Sequence, residues 1–171
     1  MKVWAGVRTE SAFESVRKMN VQGLEPVYLD VTDPASVRSA ISTLKKSSGM
    51  LHGLVNNAGI AVAGPIEALP MSEWRKQFEV NFFGLLDLTH ECLPLLRESK
   101  GRIVNMSSIS GRVASAFLAP YAASKFAVEA YSDSLRREMQ PLGVHVSLVE
   151  PGPIDTPIWR KSLSSNNATA K

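Results

Sequence analysis

Cysteine is nearly absent: Cys92 stands alone among 171 residues, which excludes an internal disulfide and agrees with a reducing compartment. Long apolar runs are missing too. No segment approaches the roughly 20 residues needed to span a bilayer, and Met1 leads straight into a short strand pattern without the apolar stretch of a secretory leader. A cytoplasmic location with no membrane span is therefore expected. Aromatic residues make up only 7% of the chain, and Trp4, Trp74 and Trp159 read as packing residues. The formal charge is only +3, with Lys and Arg scattered among the acids, so nucleic acid is not an expected partner. His52, His90 and His145 show no metal-ligand spacing, and no metal is expected. What is present is a chain 44% hydrophobic and long enough to bury one core, expected as a single domain over 1–160 with a polar tail over 161–171.

Short β-branched runs alternate with helical patterns. Strands are expected at 2–7, 26–30, 51–56, 102–106 and 145–149. Between them, a helix follows Arg8-Thr9-Glu10. Asp33 with Pro34 opens a second, running to about Lys46. Ser72 is a candidate cap for a long helix over 72–97. The last helix covers 121–140, with Val128, Tyr131, Leu135 and Met139 on one stripe and Pro141 and Gly143 ending it. Such alternation predicts an α/β fold with a parallel sheet covered on both faces, the doubly wound, Rossmann-like architecture. Ligands of such sheets bind at the carboxyl ends of the strands, where Asn56, Ser108 and Pro151 should gather.

The chemistry concentrates between Gly101 and Lys125. Tyr121 and Lys125 stand four apart at a helix start, so both side chains leave one face. A nearby ammonium stabilises a phenolate, so the pair can exchange a proton. Ser108, just past a strand, can donate to a carbonyl or alkoxide oxygen; Ser107 is its neighbouring competitor. No His-Asp pair is evident to activate the serine as a nucleophile, which leaves a serine hydrolase the poorer reading. A carbonyl/alcohol redox step fits better.

Ser108 followed by Tyr121-Ala-Ala-Ser-Lys125 resembles the catalytic signature of the short-chain dehydrogenases/reductases. Asn56-Asn57-Ala58-Gly59, Asn81 and Pro151-Gly152 with Thr156 fall in that family's order. The resemblance covers nearly the whole chain. It implies that Tyr121 transfers the proton, that Lys125 binds the nicotinamide ribose and supports the phenolate, and that Ser108 steadies the substrate oxygen. Asn81 would hold a water joined to the lysine. Asn57, Ala58 and Gly59 would line the adenosine ribose side, and Asp30 would contact the adenine amine. Pro151, Gly152, Ile154 and Thr156 would form the turn at the nicotinamide carboxamide. Plain structural alternatives stand beside several of these: a surface asparagine at 81, an ordinary strand-end turn at 56–59 and at 151–152, and a common strand-end acid at 30.

Members that prefer NAD carry an acid where this chain has Val7; here Arg8 follows, and a guanidinium can pair with a 2′-phosphate, so NADP(H) is expected over NAD(H), a solvated surface arginine being the alternative. The glycine-rich turn TGxxxGxG that holds the cofactor pyrophosphate has no counterpart in the sequence, whose first strand matches the family's second. In the order 3-2-1-4-5-6 the absent strand is central, so its neighbours should be left without partners. The carboxyl end stops soon after the Pro-Gly motif. A fragment of a longer enzyme, truncated at both ends, is expected. The activity implied is hydride transfer between NADP(H) and a secondary alcohol or ketone, with Val113, Ala114, Phe117 and Leu118 suggesting an apolar wall and hydroxysteroid or retinol dehydrogenase-like members the nearest in wording. The two long helices imply a homo-oligomer if the full domain is present. The alternative is a noncatalytic remnant that pairs with full-length relatives.

Overall fold

The computed structural model describes residues 1–156 and Ile158; Trp159, the proposed domain end at 160 and the polar tail lie outside the described residues. Five parallel strands alternate with helices. In chain order they are β1 (Val3–Val7), α1 (Glu10–Lys18), β2 (Leu24–Tyr28), α2 (Pro34–Ser48), β3 (Gly53–Asn56), α3 (Met71–Phe78), α4 (Gly84–Ser99), β4 (Arg102–Met106), α5 (Ala119–Met139) and β5 (His145–Val149).

Local chemistry sets most of these boundaries. Thr9 accepts from the Ala12 amide to cap α1, while Glu10 in its first turn and Arg17 and Lys18 in its last complement the helix dipole. Asp33 caps α2 through the Ala35 amide, with Pro34 at the first turn and Gly49 ending the helix at φ 68°. Several expectations need correction. The second strand is Leu24–Tyr28 rather than 26–30, which leaves Asp30 two residues beyond it, and the third starts at Gly53 rather than at 51. The helix expected over 72–97 starts at Met71, with Pro70 at the cap position and no side-chain cap, so Ser72 does not serve. Nor is it one α-helix: a π turn, Glu79–Phe83, separates α3 from α4. The last helix begins at Ala119, because Pro120 fits its first turn.

The strands form two sheets, β1-β2 and β3-β4-β5. Among the described residues, β1 and β3 each pair on one side only. These are the edges that the order 3-2-1-4-5-6 leaves bare without its first strand; Val3 and Val55 are accordingly exposed. Helices join the halves. Val31, Val37 and Ile41, from and beside α2, share one core with Leu88, Cys92, Leu95 and Leu96 of α4, Ile103 of β4, Leu135 of α5 and Val144 and Val146 at β5. Each fully buried aliphatic side chain there contributes about 1.5–3 kcal/mol.

Candidate active site

The in-register pairing Asn56↔Asn105 and Met106↔Val149 brings the carboxyl ends of β3, β4 and β5 to one rim. Two backbone bonds extend the ladder beyond the strands: the Ser107 amide donates to the Val149 carbonyl at 2.8 Å, and the Ile109 amide to the Pro151 carbonyl at 3.0 Å. The Ser108 loop is thereby laced to the Pro151-Gly152 turn. Tyr121 and Lys125, in the first turns of α5, are both buried, as is Ser108.

The Lys125 ammonium donates to the Met106 carbonyl at 2.7 Å and lies 5.8 Å from the Tyr121 ring centroid. One of its three N–H groups is so used, leaving donors for another partner. Burial pushes the amine down from 10.5 to about 8, against the Glu129 carboxylate, which favours the cation. The Ser108 hydroxyl accepts from the Ser110 amide at 3.1 Å, capping a 3₁₀ turn over Ile109–Gly111. Accepting there leaves its proton to donate outward. The competing Ser107 hydroxyl is buried, has no hydrogen-bond partner among the described residues and turns toward Gly111, whose added β-carbon would come within 2.8 Å of it.

Asn81 sits in the π turn, which redirects the helix at that point. Its amide oxygen accepts from the Ile60 amide at 2.9 Å, and its nitrogen donates to the Ile60 carbonyl at 3.0 Å and to the Ser124 hydroxyl at 3.2 Å. It thus clamps the chain leaving β3 onto α5, next to Lys125; a surface asparagine is excluded, since only 1% of it is exposed. Gln77, one helical turn earlier, repeats the clamp through the Val62 amide and the Ile60 carbonyl.

Asn57, Ala58 and Gly59 are exposed along the rim, as are Gly152 and Ile154, with Pro151 and Thr156 half-buried. Asp30 closes its own turn, accepting from the Thr32 amide and hydroxyl, which lower its pKa, with the Arg8 charge adding to the effect. Arg8 and Asp30 are therefore brought together beyond β1 and β2. The rim thus offers the Ser108 hydroxyl, the Tyr121 phenol, the Lys125 ammonium and the Pro151-Gly152 turn beyond β4 and β5, and a cation and a carboxylate, Arg8 and Asp30, beyond β1 and β2. No glycine-rich cradle for the pyrophosphate exists among the described residues.

Sequence reasoning missed a buried polar web behind the rim. Asn56 donates to Thr89 at 2.9 Å and to Asn105 at 2.8 Å, and Asn105 donates to Ser132 at 2.8 Å. Asparagine inside the apolar run of β4 was the available signal, since buried amides require partners. Glu129, four residues past Lys125, was equally visible. The three histidines are exposed, and His52 and His145 lie at the strand starts, at the rim opposite Ser108. A hydrolytic triad on Ser108 has no base there.

The profile of the family described as short chain dehydrogenase matches residues 1–167. The chain is 42% identical to retinol dehydrogenase 5 of Mus musculus over 173 residues, covering 99% of this chain and 54% of that protein. It is 45% identical to 17-beta-hydroxysteroid dehydrogenase type 6 of Bos taurus over 166 residues, covering 94% and 52%. A crystal structure of a short chain dehydrogenase from Burkholderia cenocepacia J2315 in complex with NADP superposes with a TM-score of 0.83 at 36% identity, covering 94% of this chain and 65% of that one. The chain spans about half the length of the curated relatives it matches.

Proposed function

Because this chain belongs to the short chain dehydrogenase family, we propose that it carries the proton-handling site of an oxidoreductase that moves a hydride between NADP(H) and a secondary alcohol or ketone. The observation that carries this reading is the buried Tyr121-Lys125 pair beside Ser108, with the ammonium fixed on the Met106 carbonyl. Tyr121 takes the hydroxyl proton at its phenolic oxygen in oxidation and returns it in reduction. Lys125 supports the phenolate and, with its remaining donors, holds a ribose. Ser108 donates to the substrate oxygen as charge develops there. Asn81, through Ser124 and Ile60, fixes the helix that carries the pair. A bound nicotinamide supplies the hydride acceptor or donor.

An apolar substrate of steroid, retinoid or lipid type is supported by Ile109, Val113 and Phe117, all exposed within or beyond the Ser108 loop, and by the names of the two relatives. The preference for NADP(H) rests on Arg8 beyond β1. A homo-oligomer is supported by the exposed Met71, Phe83 and Phe126 on α3, the π turn and α5, and a cytoplasmic location by the lone, buried thiol of Cys92. Fluorescence titration of the 171-residue chain with NADPH and NADH, alongside a circular dichroism melt, tests the reading. Preferential NADPH binding by a cooperatively melting chain supports it. A folded chain that binds neither but still self-associates would instead be the noncatalytic remnant.

A further inference from the structure

Glu129 is a carboxylate 5% exposed, on the same face of α5 as Lys125 and one turn after it. Burying an acid requires a partner, and the Arg112 guanidinium supplies one at 2.9 Å. Arg112 simultaneously holds Glu150 at 3.1 and 3.3 Å, immediately before the Pro151-Gly152 turn. Space for this arrangement comes from Gly111, where a β-carbon would stand 3.0 Å from Glu129 Cγ. The segment after Ser108, helix α5 and the segment after β5 thus meet on the Arg112 guanidinium, which holds the buried acid.

We propose that Glu129 is a positioning residue for Lys125: its carboxylate, tied down by Arg112, keeps the buried lysine a cation beside Tyr121. The charge balance around Lys125 supports this. On α5, Glu129 stands one turn after Lys125 and the Tyr121 ring centroid lies 5.8 Å from its ammonium; β4 offers the Met106 carbonyl, while the neutral amides of Asn81 and Gln77, from the π turn and α3, bond the Ser124 hydroxyl next to it in the chain. Arg112, from the segment after β4, is a like charge already committed to Glu129 and Glu150. Desolvation drives the ammonium toward its neutral form, and Glu129 is the counter-charge that opposes it. A neutral lysine would no longer stabilise a phenolate, so the importance of Glu129 for turnover rests on the proton-transfer role proposed for Tyr121 and Lys125.

The test reads Lys125 directly and needs no turnover. In the full chain labelled with ¹³C-lysine, the Lys125 Cε resonance, assigned by its loss in Lys125→Arg, is followed against pH. Its midpoint should fall by about one pH unit in Glu129→Gln and stay near the parent's in Glu129→Asp, which keeps the charge. Arg112 keeps Glu150 as a counter-charge in either variant, and Lys125 keeps its bond to the Met106 carbonyl. An unmoved midpoint in a folded Glu129→Gln chain overturns the proposal. Should that variant fail to melt cooperatively, the unmodified chain decides. Its Glu129 carboxyl ¹³C resonance, assigned by its displacement in Glu129→Asp, should show a step at the Lys125 midpoint; no step there overturns the proposal. Absence of NADPH binding would overturn the oxidoreductase reading while leaving this coupling intact.

Discussion

Gly84 lies against Val31 so closely that a β-carbon on it would stand 2.8 Å from the Val31 carbonyl oxygen. Val31 follows β2 in the two-stranded sheet, and Gly84 opens the helix packed on the three-stranded one. This contact and the α2–α4 packing hold together two sheets that share no described hydrogen-bonded strand pair. Gly84→Ala should therefore separate backbones that have no room to give, destabilising the chain by about 1–3 kcal/mol. Urea unfolding followed by circular dichroism measures it; an unchanged midpoint would show that the halves adjust freely.

Lys125 stands near 8 in the fold against an ordinary 10.5. Between those values the unfolded chain binds the extra proton, so stability rises with pH across that window. Below about 8 the buried ammonium costs its full amount, on the order of 3 kcal/mol. Lys125→Met should accordingly raise stability at pH 7, less what the lost bond to the Met106 carbonyl contributes, and the gain should shrink as pH rises from 8 toward 10.5. Urea titrations of both chains at a series of pH values check the sign. A gain that grows with pH would contradict it.

Cys92 is 1% exposed, and burial, with the Glu91 charge adding, pushes its thiol up to about 12. At pH 8 the native chain should react with a disulfide reagent at least roughly 100-fold more slowly than the urea-unfolded chain, because the thiolate is the nucleophile. Comparable rates in the two states would mean that α4 opens readily.

Tyr121→Phe removes the proton-carrying oxygen but keeps the packing of a residue 5% exposed. In a form of the protein that turns over, the catalytic rate should fall roughly 100- to 10,000-fold while NADPH affinity changes little. Retained turnover would assign the proton to another group.

Arg8→Ala should weaken NADPH binding about tenfold and leave NADH binding nearly unchanged, since only the 2′-phosphate distinguishes the two. Parallel fluorescence titrations measure the ratio. Equal losses for both cofactors would make Arg8 a partner of Asp30 alone.

The sequence by itself determined the elements and the order of the site, because those depend on neighbours along the chain. Thr9 and Asp33 cap the helices they precede, Gly49 and Gly143 sit at left-handed helix ends, and the four-residue step from Tyr121 to Lys125 is fixed by helical periodicity. Alternating strands and helices dictated a parallel sheet, and the unmatched first strand of the order foretold the bare edges of β1 and β3. Tertiary structure alone decided the rest. The π turn at Asn81 exists because its amide reaches Ile60 and Ser124, 21 and 43 residues away, and no local propensity encodes such partners. Likewise, the spacing of Lys125 and Glu129 was legible, but not their burial or the reach of Arg112 across to Glu150. A charge acquires its energetic meaning from the solvent it loses and the distant groups it meets, and only the packed chain brings those together.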